Sequence, residues 1–127
     1  MRPVTPNDLF DSAGAAAGYA SARPALHPLI VEVGLARAGW TDEVVDVALD
    51  LGCGAGLSTE PLVEQSQTAI GLDPSGAMIG ALRLRVPAAM ALVGRAEQLP
   101  LASGSVDLIT AAGSLDFADA GRSVAEI

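Results

Sequence analysis

The chain reads as an α/β fold, a doubly wound parallel sheet, on three observations. Four short runs, Val44 to Leu51, Thr68 to Leu72, Ala89 to Val93 and Val106 to Ala112, are almost continuously apolar, the pattern of parallel strands buried on both faces. Segments of helical character separate the first three, so the connections are right-handed crossovers between parallel neighbours. A glycine cluster follows the first run directly, at the strand end where such sheets hold ligands, near the point where strand order reverses.

Along the chain, residues 1 to 6 carry Arg2, Pro3 and Pro6 and read as a loose entry arm. Asn7 to Ala22 is rich in Ala, anchored by Phe10 and Tyr19, and suits a helical flap interrupted by Gly14 and Gly18 and ended by Arg23 and Pro24. Leu26, Leu29, Ile30, Val33 and Arg37 fall on helical spacing, which predicts an amphipathic helix over 26–38 stopped by Gly39, with Trp40 closing it onto the core. After the first strand, Ser58 or Thr59 is expected to cap a helix carrying Leu62 and Val63, with Pro61 tolerated in its first turn. Beyond the second strand, Ser75 caps a helix whose Met78, Ile79, Leu82 and Val86 lie along one face, and Pro87 closes it. The third strand leads through a loop holding Ala96 to Gly104 into the fourth. A helix then begins at Asp119 and runs to Ile127.

At 127 residues the chain is the size of one ordinary domain. Half the residues are apolar and 17% are charged, so enough apolar side chain exists to offset the entropy of ordering, which excludes wholesale disorder. The net charge of -8 repels a phosphate backbone, and 3% aromatics leave no stacking platform, so nucleic acid is a poor partner. All seven basic residues are Arg, a mark of GC-rich codons and not of function. One cysteine, Cys53, and one histidine, His27, exclude an internal disulfide and a structural zinc site. No run approaches the roughly 20 apolar residues needed to cross a bilayer, and Met1 to Asp11 has no signal-peptide pattern, so a cytoplasmic protein with no membrane partner is expected.

The chemistry-bearing segment is Val47-Ala48-Leu49-Asp50-Leu51-Gly52-Cys53-Gly54-Ala55-Gly56. Glycines on alternate positions accept positive φ and let the main chain approach a ligand that a Cβ would repel. About 20 residues on, the second strand ends in Asp73, where an acidic side chain accepts both hydroxyls of a ribose. Strand, glycine turn, helix, strand and acidic end together point to an adenosine-containing ligand.

Residues 47 to 56, 69 to 79 and 94 to 110 resemble class I S-adenosylmethionine-dependent methyltransferases, particularly the small-molecule group resembling quinone-biosynthesis enzymes. A dinucleotide fingerprint is G-x-G-x-x-G, shaped for a pyrophosphate on a helix N-terminus, whereas this chain has G-x-G-x-G, which argues against a nucleotide-dependent oxidoreductase. The resemblance implies that Asp50 and Gly52 sit beside the methionine part of the methyl donor, with Gly54 and Gly56 completing the loop and Asp73 holding the ribose. It places Pro74 after Asp73, Met78 on the adenine, Ala96 and Glu97 at the adenine edge, and Ala112 and Gly113 along the donor pocket. Tyr19 and Arg23 resemble an element that covers the donor. S-adenosylmethionine is the implied cofactor, with S-adenosylhomocysteine as its product.

Plainer readings stand beside these. Asp50 and Asp73 also suit strand-end caps, Glu97 a solvated loop charge, and Met78 a core residue. Cys53 reads as a small residue filling the turn and His27 as a surface or packing residue. Asp107, Asp116 and Asp119 are spaced like loop and cap charges, not a metal site. No residue stands out as a catalytic base, which methyl transfer by alignment does not require.

Relatives of the family carry seven strands in the Rossmann-like order 3-2-1-4-5-7-6 and build the acceptor site after the fourth. The resemblance therefore implies a truncated domain with strands 3-2-1-4, a helical cap over 1–40 and a donor-binding half over 44–127. The fourth strand would form an apolar edge inviting another chain. A partner supplying the remaining strands, self-association, or membership of a longer gene product would complete it. The expected function is methyl transfer to a small organic acceptor, the alternative a silent donor-binding or scaffold subunit.

Overall fold

The computed structural model describes residues 27–39, 43–112, 114 and 118–127. They form α1 (His27–Arg37), β1 (Val45–Leu51), α2 (Leu62–Gln65), β2 (Ser66–Asp73), α3 (Gly76–Arg85), β3 (Met90–Val93), β4 (Leu108–Thr110) and α4 (Ala120–Glu126). The expected flap over Asn7 to Ala22 and Trp40 lie outside the described residues.

The strands are all parallel, in the order β3-β2-β1-β4. Ala48 lies beside Ala69 and Leu108, and Asp50 beside Gly71 and Thr110. The chain steps outward from β1 to β2 to β3 and then returns to the far side of β1. Crossings of one hand in both directions must lie on opposite faces of the sheet. Accordingly α2 and α3 share one face, and α1 packs there too: Val31, Leu35 and Leu62 pack on Val45, Ala48 and Ala69, while Leu82 sits against Gly71. On the other face, the alternate strand residues Leu49, Leu51, Ile70 and Leu72 pack against Ala96, Leu99, Leu101 and Val106 from the connection between β3 and β4.

α3 forms as the sequence predicts. Ser75 Oγ accepts the Met78 amide at 3.2 Å, and Met78, Ile79, Leu82 and Val86 are all buried.

Three expectations are corrected. In α1 the stripe of Leu29, Ile30 and Val33 is exposed, at 57%, 56% and 45%, and Val31 with Leu35 makes the contact instead. Apolar residues surround this helix, so spacing alone does not pick its buried face. Neither Ser58 nor Thr59 caps α2, which begins after Pro61 without a side-chain cap, because both hydroxyls turn inward to Asp50. β4 is three residues long, not seven. Below it Asp107 takes over the pairing with Val47: its amide donates to Val47 O at 2.9 Å and its carboxylate accepts from Val47 N at 2.9 Å.

Candidate ligand-binding site

The carboxyl ends of β1, β2 and β4 meet where strand order reverses, and the glycine loop lies across them. Gly52, Gly54 and Gly56 have φ of 62°, 54° and 100°, so every second residue takes a left-handed conformation that costs an L side chain about 1–2 kcal/mol. Two loop amides are spent on β2: Cys53 N donates to Leu72 O and Gly54 N to Asp73 Oδ2, both at 3.0 Å. A Cβ at Gly52 would run into the side chain of Ser114, whose Oγ donates to Leu51 O at 2.6 Å. A Cβ at Gly56 would meet Leu82 Cδ1 at 2.5 Å, so this glycine also lets α3 close on the loop.

Two carboxylates flank the loop in different settings. Asp50 is fully buried; its Oδ2 accepts from Ser58 Oγ at 2.6 Å and Thr59 Oγ1 at 2.8 Å, and its Oδ1 from Thr110 Oγ1 at 3.1 Å. Burial pushes its carboxyl above the usual range, and the three hydroxyls pull it part of the way back. Asp73 is half-buried and accepts the amides of Gly54 on Oδ2 and of Ser75 on Oδ1, at 3.0 and 2.9 Å. It too is raised by burial, against the pull of those two amides.

The remaining predicted residues divide. Pro74 is exposed next to Asp73. Met78 is buried against Ala55, with Ala77 and Ala81 beside it. Ala96 packs under the sheet with Leu99. Glu97, with 13% of its side chain exposed, accepts the Asp119 amide at 3.0 Å and faces Arg95 at 3.8 Å. The Asp119 amide is the main reason its carboxyl is held below the usual glutamate range. Leu99 N in turn donates to Glu126 at 2.8 Å, so α4 grips the 95–99 segment from both of its ends. Ala112, just past β4, is partly buried. Tyr19, Arg23 and Gly113 lie outside the described residues. The Cys53 thiol is buried and raised by desolvation and the two nearby aspartates, which suits the turn-filling reading. Among the described residues no cluster of three or more His, Cys, Asp or Glu is placed to hold a metal.

Sequence reasoning read Ser58 and Thr59 only as caps and missed Thr110 and Ser114. One signal was available for Thr110, a hydroxyl inside an otherwise apolar strand. The others follow turns that carry no periodicity.

Residues 49–127 match the family described as "Methyltransferase domain", and the chain belongs to it. An uncharacterized methyltransferase of Mycobacterium tuberculosis is 34% identical over 121 residues, 94% of this chain and 47% of that protein. The chain thus spans about half the length of the curated relatives it matches. A candidate S-adenosylmethionine-dependent methyltransferase of Methanococcus maripaludis superposes with a TM-score of 0.77 at 21% identity, covering 99% of this chain and 60% of that one. The amino pentose methyltransferase CalS10 of Micromonospora echinaspora, solved with S-adenosylmethionine bound, gives a TM-score of 0.66 at 22% identity, covering 91% and 48%. Both share the parallel-sheet fold.

Proposed function

We propose that the chain binds S-adenosylmethionine at the ends of β1, β2 and β4 and serves methyl transfer to a small organic acceptor. The carrying observation is the Asp73 carboxylate. Each of its oxygens accepts one loop amide, and a carboxylate oxygen accepts about two bonds. One acceptor position per oxygen therefore remains, which suits the paired hydroxyls of a ribose. The left-handed glycines beside it expose main chain without side chains, which suits the close approach of the donor's amino-acid part.

The donor supplies a methyl group already activated on a sulfonium. The protein's share is then to align the donor, hold the ribose and exclude water. In this reading Gly52, Gly54 and Gly56 cradle the donor, Ala96 and Glu97 edge the adenine, Ala112 lines the pocket, and Tyr19 and Arg23 in the 1–40 cap cover it. β4, which pairs only with β1 among the described residues, then presents its other edge to the strands that complete the domain, from further sequence, a second copy or a partner chain.

A silent donor-binding or scaffold subunit is the second reading. It is favoured by the engagement of Asp50 and Glu97, whose carboxylates already accept protein hydrogen bonds.

Calorimetric titration with S-adenosylmethionine, S-adenosylhomocysteine and NAD tests the assignment. Micromolar binding of the first two and none of NAD is expected; binding of NAD alone would sink it. Sedimentation alongside tests the edge, and a stable dilute monomer would count against completion by a second copy.

A further inference from the structure

We propose that Asp50 acts on the donor site through the loop: with Ser58, Thr59 and Thr110 it forms a buried buckle that holds the glycine turn in its binding shape. This makes Asp50, Ser58, Thr59 and Thr110 positioning residues, and it rests on the donor-binding reading above.

The geometry carries the inference. A carboxylate has about four acceptor positions, and three of Asp50's are taken by hydroxyl donors from this chain. Asp50 and Thr59 are 0% exposed and Ser58 is 4% exposed, so little is left to turn toward a ligand. What the carboxylate joins is specific. Asp50 precedes the glycine turn, and Ser58 and Thr59 follow it, so the two bonds to Oδ2 close the segment 50–59 into a ring. Thr110 is Asp50's register partner on β4, and the bond to Oδ1 fastens that ring to the neighbouring strand.

The other holds on the far end are short-range or come from α3: Glu60 N donates to Gly56 O at 2.9 Å, Leu62 N to Thr59 O at 3.0 Å, and Arg85 donates to Glu60 at 3.0 Å. α2 is a single turn without a side-chain cap, and it begins only at Leu62. The near end is held from β2, through Leu72 O and Asp73. The loop is therefore hydrogen-bonded to the sheet at two places, the buckle and β2, and the β2 pin uses the carboxylate proposed for the ribose. Loosening the buckle leaves only the β2 pin and the contacts from α3 to hold a loop whose alternate residues are glycine.

The variants Thr59→Val and Ser58→Ala remove one donor each, and Thr59→Ser restores a hydroxyl. Amide hydrogen exchange is followed at Cys53, Gly54, Gly56 and Glu60, all bonded in the folded loop, against Leu72 and Leu82 in the core. S-adenosylhomocysteine affinity is measured on the same samples. Thr59→Val is expected to speed exchange at the loop amides by about tenfold or more while the core amides keep their rates, and to weaken binding about tenfold. Thr59→Ser is expected to recover both. Unchanged loop exchange, or an equal loss of protection in loop and core, would overturn the buckle. So would a Thr59→Val protein with full affinity beside an Asp50→Asn protein with none, since that pattern marks direct contact. Should Thr59→Val not fold, Ser58→Ala decides by the same comparison. A wild-type chain that binds no S-adenosylhomocysteine defeats the donor reading, and the exchange comparison still decides the buckle.

Discussion

Each oxygen of Asp73 already accepts a main-chain amide, so exchanging it for an amide side chain disturbs the loop and the proposed diol site together. In Asp73→Asn one acceptor becomes an NH2 that faces an N–H donor. We expect S-adenosylhomocysteine affinity to fall between tenfold and a hundredfold by calorimetry, the scale of one or two bonds to a charged group. Because burial raises the Asp73 pKa, wild-type affinity should also decline on acidification through that raised value, and the decline should be absent in the variant.

Glu97 titrates in the opposite sense. Its native pKa is lowered, so the stability it contributes is complete above the ordinary glutamate value and is lost as pH falls through the lowered one. Glu97→Gln should flatten the acid limb of a urea-melt pH series. Asp50 and Asp73 run the other way, since their raised values give stability that is greatest in acid and declines as pH rises through them. Strand ends and glycine spacing single out Asp50 and Asp73 in the sequence, and the structure places both beside the glycine loop. The hydroxyl partners of Asp50 were not legible, because Ser58 and Thr59 find their carboxylate eight and nine residues away and leave no periodic trace.

Among the elements, α3 is the one whose cap, buried face and close all follow local rules. Ser75 sits in extended conformation at φ -86° and its hydroxyl takes the Met78 amide. Ser75→Ala should therefore cost about 1 kcal/mol in a thermal or urea melt. β1 and β2 were legible for a similar reason: strands buried on both faces need continuous apolar side chains, and Leu49, Leu51, Ile70 and Leu72 supply them. α1 was legible as a helix but not in its orientation, since Val31 and Leu35 are chosen by the shape of the sheet below them. α2 carries Leu62 and Val63 as expected but starts only after Pro61, because its two expected caps satisfy Asp50 instead. β4 was overestimated because the apolar run 106–112 looks alike whether or not each residue finds a ladder partner.

At the scale of the molecule, the reversal of strand order decides where everything else goes. It sends α2 and α3 to one face, where α1 also packs, and the β3–β4 connection to the other, and it leaves the ends of β1, β2 and β4 together under the glycine loop. The order was legible only through family resemblance, for periodicity carries no information about which strand lies beside which. The same arrangement places the chain's single thiol inside the loop, with Cys53 Sγ directed at Gly71 under α3. Cys53 is 4% exposed, so a thiol reagent reaches it only when the turn lifts away from the sheet. The molecule thus contains its own stopwatch. The rate at which a maleimide modifies the unaltered protein should read how often the loop opens, and S-adenosylhomocysteine should slow that rate in proportion to the fraction of protein it occupies.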